Sequence, residues 1–592
     1  SVRQGARSGT RRGVGWRAAV GLVLVVVLAL AFAGCSGAPE PDPPGDAETE
    51  TPSSSPPEAE PTEPTEQPGP AERLGLTTGW GPSEAELDSA VRRARRLSLP
   101  ELAGQLIVAS WSGTAAPVRT VRSLHLGGVI AFDDNIASPQ QIAAVNRALR
   151  RQVRRPWPLF LSVDQEGGIV ERAPTTPFPA FMSAGAARDP RLTNVAYRRY
   201  GAELADLGFT VNFAPVADVT TGPDDPTIGS RSAGSGRQLV AAQAVAAAQG
   251  FARSGVVPVL KHFPGHGSVP ADSHLTLPVQ KRSLRQLQRR DLVPFAVAVD
   301  AGLPAVMVGH LDVRRIDPRL PSSLSRRVVT GLLRHDLGFR GLVVTDSLQM
   351  AAVTRGREPA AVAVRAIRAG ADVLLMPPDP AVAQRALVQA VRRGSLTRSR
   401  LLRSAARQIA LLDHSVPTGD RPARPGSASS ESRRLSAAAI TVVSGRCRGR
   451  LVEDSVFPIG DAGGRSAFVP AARAAGLEIL VRRDPPARLA QPSTRRQRQR
   501  LAAWQAEEEA RLASGTSIGF SGYGGAPVVA DVAVATDTPY VLGQSRARVR
   551  IATYGETPGA MASLVDVLVG RATAPGRLPV VVTGVPRQRC SH

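Results

Sequence analysis

The sequence predicts an α/β protein, with a (β/α)8 TIM-type barrel followed by a smaller α/β sandwich-like domain. Short apolar runs rich in Val, Ile and Leu alternate with longer Ala/Leu/Arg-rich stretches, and eight such repeats fall within the roughly 250–330 residues that a barrel needs. A doubly wound open sheet is the main alternative. The predicted strands are residues 105–109, 128–132, 159–164, 211–216, 256–261, 305–310, 342–346 and 372–376.

Composition divides the 592 residues into a leader, two folded regions and two linkers. We expect the barrel at 85–415, a linker rich in Pro, Gly, Ser and Arg at 416–434, and the C-terminal α/β domain at 435–592. The strands predicted in that last domain are residues 438–443, 468 onwards, 477–481, 528–536 and 577–582.

The N-terminal residues predict an exported and anchored protein. A basic leader precedes an apolar run at 18–33, and small residues stand directly before Cys35. Residues 1–35 therefore have the layout of a signal peptide with a lipobox, in which Cys35 would be acylated. A plain signal peptide and a retained anchor remain the alternatives. Residues 36–80, rich in Pro, Glu and Thr, are expected to be a disordered linker. The predicted location is extracytoplasmic, on the cell membrane of a bacterium.

Cysteine usage and net charge are less informative about the function than the N-terminal residues are about the location. Cys447 and Cys590 are a candidate disulfide, which an extracytoplasmic location would permit. The formal charge of +23 comes almost entirely from arginine, and no zinc-finger spacing or RNA-binding motif accompanies it. We expect no nucleic-acid partner. The basic run at 495–500 precedes glutamates at 507–509 and predicts a solvated helix, with contact to an anionic polymer as the alternative.

Polar residues stand at the C-terminal ends of four of the predicted strands. They are Asp164, the pair Lys261 and His262, His310, and Asp346. The C-terminal ends of barrel strands form the active-site mouth, so these side chains are expected to converge there. The sequence therefore predicts an enzyme.

Residues of types that bind metals or transfer protons cluster at the end of the fifth predicted strand. The segment reads KHFPGHG at 261–267 and continues to Asp272 and His274. Metal ligation is one interpretation, but the prolines and glycines break any helix that could present His266 with His262. A purely structural loop is a second interpretation, and an acid/base loop that works with a nucleophile elsewhere is the third. We expect no metal and no cofactor.

The acid/base interpretation has a physical logic. Asp272 and His274 flank one residue, so the carboxylate can orient the imidazole and stabilise its charged form. Asp346 ends a rigid apolar strand and suits a nucleophile. A proton carrier and a carboxylate nucleophile are what a retaining glycosidase requires. Five further side chains would hold sugar hydroxyl groups: Asp164, Arg172, Arg231, Lys261 and His262.

Several motifs resemble a known family. They are DQEGGIVER at 164–172, NFAPVADV at 212–219, IGSRS at 228–232, KHFPGHG with Asp272-Ser273-His274, and VTDSL at 344–348. The chain resembles a glycoside hydrolase family 3 β-N-acetylhexosaminidase of the NagZ type. In its lipoprotein form with a C-terminal domain, the later segments YGETP at 554–558 and PGRLPV at 575–580 also match.

The resemblance implies roles by position. Asp346 would form the covalent intermediate, His274 would be the acid/base with Asp272 tuning it, and the five polar residues would bind N-acetylglucosamine. His266 would shape the loop, and His310 would be structural or line the pocket.

The predicted function is a retaining β-N-acetylglucosaminidase acting on peptidoglycan-derived glycans, tethered to the membrane by a lipid anchor. The alternatives are a β-N-acetylglucosaminide phosphorylase, since a histidine acid/base repels phosphate less than a glutamate would, and an inactive cell-wall-binding lipoprotein. The intact Asp346, His274 and Asp272 argue against the inactive protein.

Overall fold

A computed structural model describes residues 67–415 and 423–585 of the chain. The predicted signal peptide, the predicted acylation site Cys35 and the candidate disulfide partner Cys590 lie outside these ranges. Cys447 is disulfide-bonded, and its pairing with Cys590 stays a prediction. Within the described ranges, the helices are all too short or too polar to cross a membrane.

Each of the eight predicted apolar runs contains a strand, although the strands are shorter than the runs. We number them β1 to β8 and treat the fifth as one strand in two segments. They are β1 (Ile107–Ala109), β2 (Gly128–Ala131), β3 (Phe160–Val163), β4 (Val211–Asn212), β5 (Val257–Pro258 and Leu260–Phe263), β6 (Ala305–Val308), β7 (Leu342–Thr345) and β8 (Leu374–Leu375).

The strands close into a parallel barrel in sequence order. One sheet has the order β8-β1-β2-β3-β4 and ends on the first segment of β5, and a second has the order β7-β6 and ends on the second segment of β5. Two parallel bridges, Val216 with Lys261 and Val344 with Val373, join the sheets. The strands are buried on both faces, which explains their continuous apolar sequence. The predicted (β/α)8 fold is confirmed.

Helices cover the barrel and pack on the C-terminal sheet. We number the α-helices along the chain and leave out short 3₁₀ turns and the π-helix Arg327–Asp336. They are α1 (Glu84–Arg95), α2 (Leu99–Gln105), α3 (Val118–Ser123), α4 (Pro139–Val153), α5 (Met182–Ala187), α6 (Pro190–Asp206), α7 (Arg237–Arg253), α8 (Leu284–Arg289), α9 (Val293–Asp300), α10 (Ala351–Thr354), α11 (Pro359–Ala369), α12 (Pro380–Arg392), α13 (Arg398–His414), α14 (Ser429–Ala439), α15 (Ala462–Ala474), α16 (Ala487–Ala490), α17 (Arg495–Ala513) and α18 (Pro558–Leu568).

The C-terminal region forms a six-stranded sheet with helices packed against it. The order is β9-β14-β13-β12-β10-β11; β9 and β14 are antiparallel, and the other neighbours are parallel. Its strands are β9 (Thr441–Ser444), β10 (Ser455–Gly460), β11 (Glu478–Ile479), β12 (Thr516–Ser521), β13 (Val532–Ala535) and β14 (Val549–Ala552).

Two strand predictions in this region were wrong. The segment from Phe468 onwards lies inside α15, where Phe468 is on the buried face of an amphipathic helix. Residues 577–582 form no sheet strand because their backbone bonds to the barrel. The amide of Arg577 donates to Ala186, and the carbonyl of Pro579 accepts from Ser235. Three strands, β10, β12 and β14, were missed because Pro458, glycines and single polar residues interrupt their apolar pattern.

Both linkers are shorter than predicted. The first was expected to extend to residue 80, but Ala71, Leu76 and Trp80 are buried in the barrel core. Isolated apolar side chains among polar ones give no periodic hydrophobic pattern. The composition of this segment therefore did not reveal that it packs on the barrel core. The second was expected to extend to 434, whereas α14 begins at Ser429, and buried Leu435 joins the same core.

The base of the barrel holds a buried charge cluster. Asp372, which is fully buried ahead of β8, contacts Arg334 at 2.5 Å, Arg400 at 3.4 Å and Arg407 at 3.2 Å. Burial alone would raise the pKa of Asp372, but the three guanidinium groups hold it well below its ordinary value. The N-terminal edge of barrel strands serves stability rather than catalysis.

Replacing Asp372 by asparagine is expected to lower the free energy of unfolding by about 3–5 kcal/mol, because it leaves three buried arginines without their counter-charge. The depressed native pKa means that the stabilisation is present above the ordinary carboxyl pKa of about 3.9 and is lost as the pH falls through the native value. Urea unfolding at a series of pH values measures both effects. The exposed Asp300→Asn is the matched control, and equal stability of D372N and wild type would contradict the assignment.

Candidate active site

A cavity of about 410 Å³ opens at the C-terminal ends of the barrel strands. This volume falls in the range of about 300–1,000 Å³ that is typical of small-molecule sites. Seven of the eight predicted catalytic and binding side chains line it: Asp164, Arg172, Arg231, Lys261, His262, His274 and Asp346. Asp272 does not line the cavity, but it bonds to His274. The barrel therefore brings together residues that lie up to about 180 positions apart in the chain.

One wall of the cavity is an ion-pair network centred on Glu166. This carboxylate follows β3 and accepts from Arg231 through two nitrogens, at 2.8 and 2.9 Å. The ammonium of Lys261, from β5, contacts Glu166 at 2.6 Å and Asp164 at 2.5 Å. Asp164 keeps a partly exposed carboxylate, so it can still accept from a ligand hydroxyl.

The network keeps its members charged. Burial raises the pKa of Glu166, but Arg231 and Lys261 outweigh it and lower the value to about 2. Burial lowers the pKa of Lys261, yet Asp164 and Glu166 hold it above its ordinary value. This wall therefore presents fixed ammonium and guanidinium donors and carboxylate acceptors at neutral pH, which suits the hydroxyl and amide groups of a sugar.

His262 is oriented by a buried carboxylate behind it. Its Nδ1 lies 2.7 Å from Asp218 Oδ2, and its backbone amide donates to the same oxygen at 3.2 Å. Since an ionised carboxylate only accepts, Nδ1 carries the proton, and Nε2 remains for the cavity. Burial raises the pKa of Asp218, but His262 and other donors keep it below its ordinary value.

Asp346 stands directly after β7, as the sequence predicts. Its backbone amide donates to Val308 on β6 at 2.9 Å, and Oδ1 accepts from the amide of Ser347 at 2.8 Å. Burial raises the pKa of Asp346, but His310, His262 and His274 lower it below its ordinary value. An ionised carboxylate on a rigid strand end can act as a nucleophile toward an electrophilic carbon.

His310 supports Asp346 and does not line the cavity. It is fully buried; its Nε2 lies 2.9 Å from the carbonyl of Ser347, and its Nδ1 lies 2.7 Å from the hydroxyl of Ser323. The carbonyl can only accept, so Nε2 carries the proton and Nδ1 accepts from Ser323. Burial lowers the pKa of His310. Its contact fixes the residue that follows Asp346.

His274 and Asp272 lie at the rim, on the loop after β5. Oδ1 of Asp272 accepts from the backbone amide of His274 at 2.8 Å and lies 2.7 Å from its Nδ1. Burial raises the pKa of Asp272, but its bonds to His274 lower it below its ordinary value. With Nδ1 held by the carboxylate, Nε2 is the nitrogen that can exchange a proton. The His274 side chain is 65% exposed and can meet a substrate atom outside the cavity.

His266 ties this loop to the barrel. It is buried; its amide donates to Asp218 at 2.6 Å, and its Nε2 lies 3.0 Å from the hydroxyl of Ser273. Burial lowers its pKa to about 4. Ser273 stands between Asp272 and His274, so His266 acts on the position of the dyad.

Arg172 enters from the hairpin formed by Gln165–Gly167 and Val170–Glu171. Its NH1 contacts the exposed Asp133 at 2.7 Å. Its buried Nε finds no hydrogen-bond partner among the described residues and is free to donate to a ligand. Such a donor fits the predicted binding role.

The C-terminal domain holds the loop that carries Arg231. The hydroxyl of Ser230 donates to Asp537, and the phenol of Tyr523 donates to the carbonyl of Pro226 at 3.3 Å. Ser230 lies in the 3₁₀ turn Gly229–Arg231, next to the guanidinium that binds Glu166. This domain therefore positions part of the cavity wall without lining the cavity itself.

Replacing Asp537 by alanine is expected to raise KM about three- to tenfold and leave kcat within about twofold. Ser230 would lose its buried acceptor, and the Arg231 turn would be held less firmly. Steady-state kinetics on the substrate that the cavity binds measures both constants. Asp531→Asn, a change in the same domain but away from the barrel loop, is the control. A loss confined to kcat would contradict this positioning role.

Sequence reasoning missed Glu166, Asp218 and Asp537 as site residues. Glu166 lies three positions after β3 and Asp218 six positions after β4, so their place on strand-end loops was a weak signal that did not rank them above their neighbours. Asp537 gave no such signal, because its partner Ser230 lies 307 residues away.

The described residues contain no group of three or more His, Cys, Asp or Glu side chains arranged to hold a metal ion.

The fold and site together define a barrel enzyme with a strand-borne carboxylate, a carboxylate-bonded histidine at the rim and a polar pocket suited to a sugar. Residues 98–411 match the glycosyl hydrolase family 3 N-terminal domain. The match covers more than half of the chain, so the chain belongs to glycoside hydrolase family 3, a family of glycosidases.

Three relatives illustrate the similarity. Beta-hexosaminidase A of Pseudoalteromonas piscicida is 36% identical over 274 residues, which cover 43% of this chain and 46% of that enzyme, less than half of its length. Beta-hexosaminidase LpqI of Mycobacterium tuberculosis is 38% identical over 328 residues, 52% of this chain and 82% of that protein. The solved structure of a family 3 beta-N-acetylglucosaminidase from Paenibacillus superposes with a TM-score of 0.69 at 29% identity, over 82% of this chain and 99% of that one.

Proposed function

We propose that the protein is a retaining β-N-acetylglucosaminidase that removes terminal N-acetylglucosamine from peptidoglycan-derived fragments. The observation that carries this proposal is the convergence of Asp346, His274 and the Glu166 network on one cavity. The relatives named as beta-hexosaminidases and the Paenibacillus beta-N-acetylglucosaminidase support the sugar.

The proposed reaction has two steps. Asp346 attacks the anomeric carbon as the bond to the leaving oxygen breaks, and His274 gives that oxygen a proton. A glycosyl-aspartate forms. Water then attacks the same carbon while His274 takes its proton, and the bond to Asp346 breaks. Two inversions leave the β configuration unchanged, and Asp272 balances the charge on the imidazole during both steps.

The proposed location rests on the expectations from the N-terminal sequence. We propose that residues 1–35 export the chain and that acylated Cys35 anchors it on the outer side of the cell membrane. Peptidoglycan fragments are the N-acetylglucosamine-containing glycans available there. Mass analysis of the mature N-terminus tests the anchor, and an unmodified or retained leader would refute it.

Activity on two chromogenic substrates tests the sugar specificity. We expect the full-length chain to cleave 4-nitrophenyl N-acetyl-β-glucosaminide at least about a hundredfold faster, in kcat/KM, than the β-glucoside. Muramidase-digested peptidoglycan should release N-acetylglucosamine. A preference for glucose would overturn the proposal.

Inorganic phosphate separates hydrolysis from phosphorolysis. The acid/base is a histidine, and the nearest carboxylate, Asp272, is bonded to its far side, so a phosphate anion would meet little repulsion there. Hydrolysis predicts free N-acetylglucosamine at all phosphate concentrations. Accumulation of N-acetylglucosamine 1-phosphate would assign phosphorylase activity instead.

A further inference from the structure

A large groove lies on the outer face of the barrel, away from the catalytic cavity. Its volume is about 1,150 Å³, and it runs between the π-helix Arg327–Asp336, α11 and α12. Its floor is apolar, made by small and aliphatic side chains. They are Leu320, Leu324, Val364, Ala369, Ala386 and Ala390, each buried or half-buried.

The rim of this groove is strongly basic. Five arginines line it: Arg326, Arg327, Arg365, Arg368 and Arg393. All five are exposed, and within the described ranges none of them forms an ion pair. Asp317 is the one carboxylate among the lining residues, and it accepts from the hydroxyl of Ser325. The groove therefore carries a net positive charge beside an apolar floor.

We propose that this groove binds the phosphate headgroups of an anionic phospholipid membrane. Guanidinium groups recognise phosphate oxygens in a fixed fork geometry, and basic residues beside an apolar surface favour a charged amphiphile. A fully hydrated polyanion would gain little from these six apolar residues, whereas glycerol and the first acyl carbons can contact them.

The position of the groove agrees with this partner. The groove runs along the side of the barrel: Arg326 and Arg327 begin the π-helix and lie toward the C-terminal ends of the strands, whereas Arg368 and Arg393 end α11 and α12 toward the N-terminal edge. The first described residues reach the same edge, where the carbonyl of Thr78 accepts from Arg340 at 3.5 Å. A membrane along this side of the barrel leaves the active-site mouth, which opens at the C-terminal ends of the strands, accessible to glycans.

Vesicle binding by the full-length chain tests the proposal. One set of vesicles is phosphatidylcholine alone, and the other contains about 30% phosphatidylglycerol. The neutral set gives the baseline for any other membrane contact of the chain. We expect wild type to bind the anionic vesicles at least about tenfold more tightly, and salt to weaken that preference.

A matched pair of variants locates the effect. The variant R326Q/R365Q/R368Q/R393Q should lose the anionic preference by about tenfold and keep its glycosidase activity. The control R495Q/R496Q/R498Q/R500Q removes the same charge from α17 and should change binding less than about twofold. Equal losses in both variants, or no preference for anionic vesicles, would overturn the proposal.

Hydrogen exchange on wild type gives a second measurement that needs no variant. Phosphatidylglycerol vesicles should protect α11 and α12 amides, and neutral vesicles should not. If soluble poly(glycerol phosphate) binds with the same dependence on the four arginines while vesicles do not, the partner is an anionic wall polymer and the lipid proposal is wrong. None of these outcomes depends on which sugar the enzyme cleaves.

Discussion

Replacing Asp346 by asparagine is expected to lower kcat/KM for an N-acetylglucosaminide by about 10⁴-fold or more, the scale of loss that follows removal of a covalent nucleophile. Asparagine keeps the shape of the side chain and can still accept from Ser347. The change therefore removes the negative charge and nucleophilicity while it leaves the loop in place. Steady-state kinetics with the chromogenic substrate measures the loss.

Covalent labelling of Asp346 separates a nucleophile from a carboxylate that stabilises charge. A 5-fluoro glycosyl fluoride of N-acetylglucosamine should accumulate on the wild-type enzyme as a stable ester, and the labelled peptide should contain Asp346. D346N should take no label, and its urea unfolding should match wild type. An ester on Asp164, or full activity in D346N, would refute the proposed mechanism.

Replacing His274 by alanine is expected to give the second large effect. General acid/base catalysis contributes about 10²–10⁴-fold, so hydrolysis of a disaccharide should fall by that factor. A 2,4-dinitrophenyl glycoside needs little protonation of its leaving oxygen, so the first step should be nearly normal and the glycosyl-enzyme should accumulate as a burst. Pre-steady-state kinetics with the two leaving groups measures the difference.

Azide identifies the second role of His274. It attacks without needing a base, so it should restore turnover of the activated substrate by H274A and yield the β-glycosyl azide. Wild type should show no such rescue, and neither should His335→Ala, which removes an exposed imidazole elsewhere on the barrel. Equal losses on activated and unactivated substrates would rule out an acid/base role for His274.

Most of the barrel could be predicted because its signal is local. Each strand is a continuous apolar run flanked by turn residues, and a parallel strand buried on both faces needs nothing else. The C-terminal sheet was harder. β10 contains Pro458, β12 contains Gly519 and β14 contains Arg550. These residues interrupt the apolar pattern of each strand, and the strands are buried because neighbouring strands pair with them.

The site residues also divide into those that local sequence patterns predict and those that only the tertiary structure reveals. Asp346, Lys261 and His262 could be found because each stands at or near the C-terminal end of an apolar strand, and strand ends converge in a barrel. Asp272 and His274 stand two positions apart, so their contact could be expected from spacing. Glu166 could not be ranked above its neighbours, because only the folded chain shows that it sits between Lys261 and Arg231.

The sequence by itself determined the barrel, its order of strands, the mouth at which the polar residues meet, and the dyad with its partner Asp346. These features follow from short-range sequence patterns, because the apolar runs and turn residues of a segment determine its local structure. The tertiary structure alone decided which carboxylate orients His262, how Asp537 holds the Arg231 turn, and where five arginines collect above an apolar groove. Such contacts join segments far apart in the chain, and no local pattern encodes the distance between two side chains that only the closed barrel brings together.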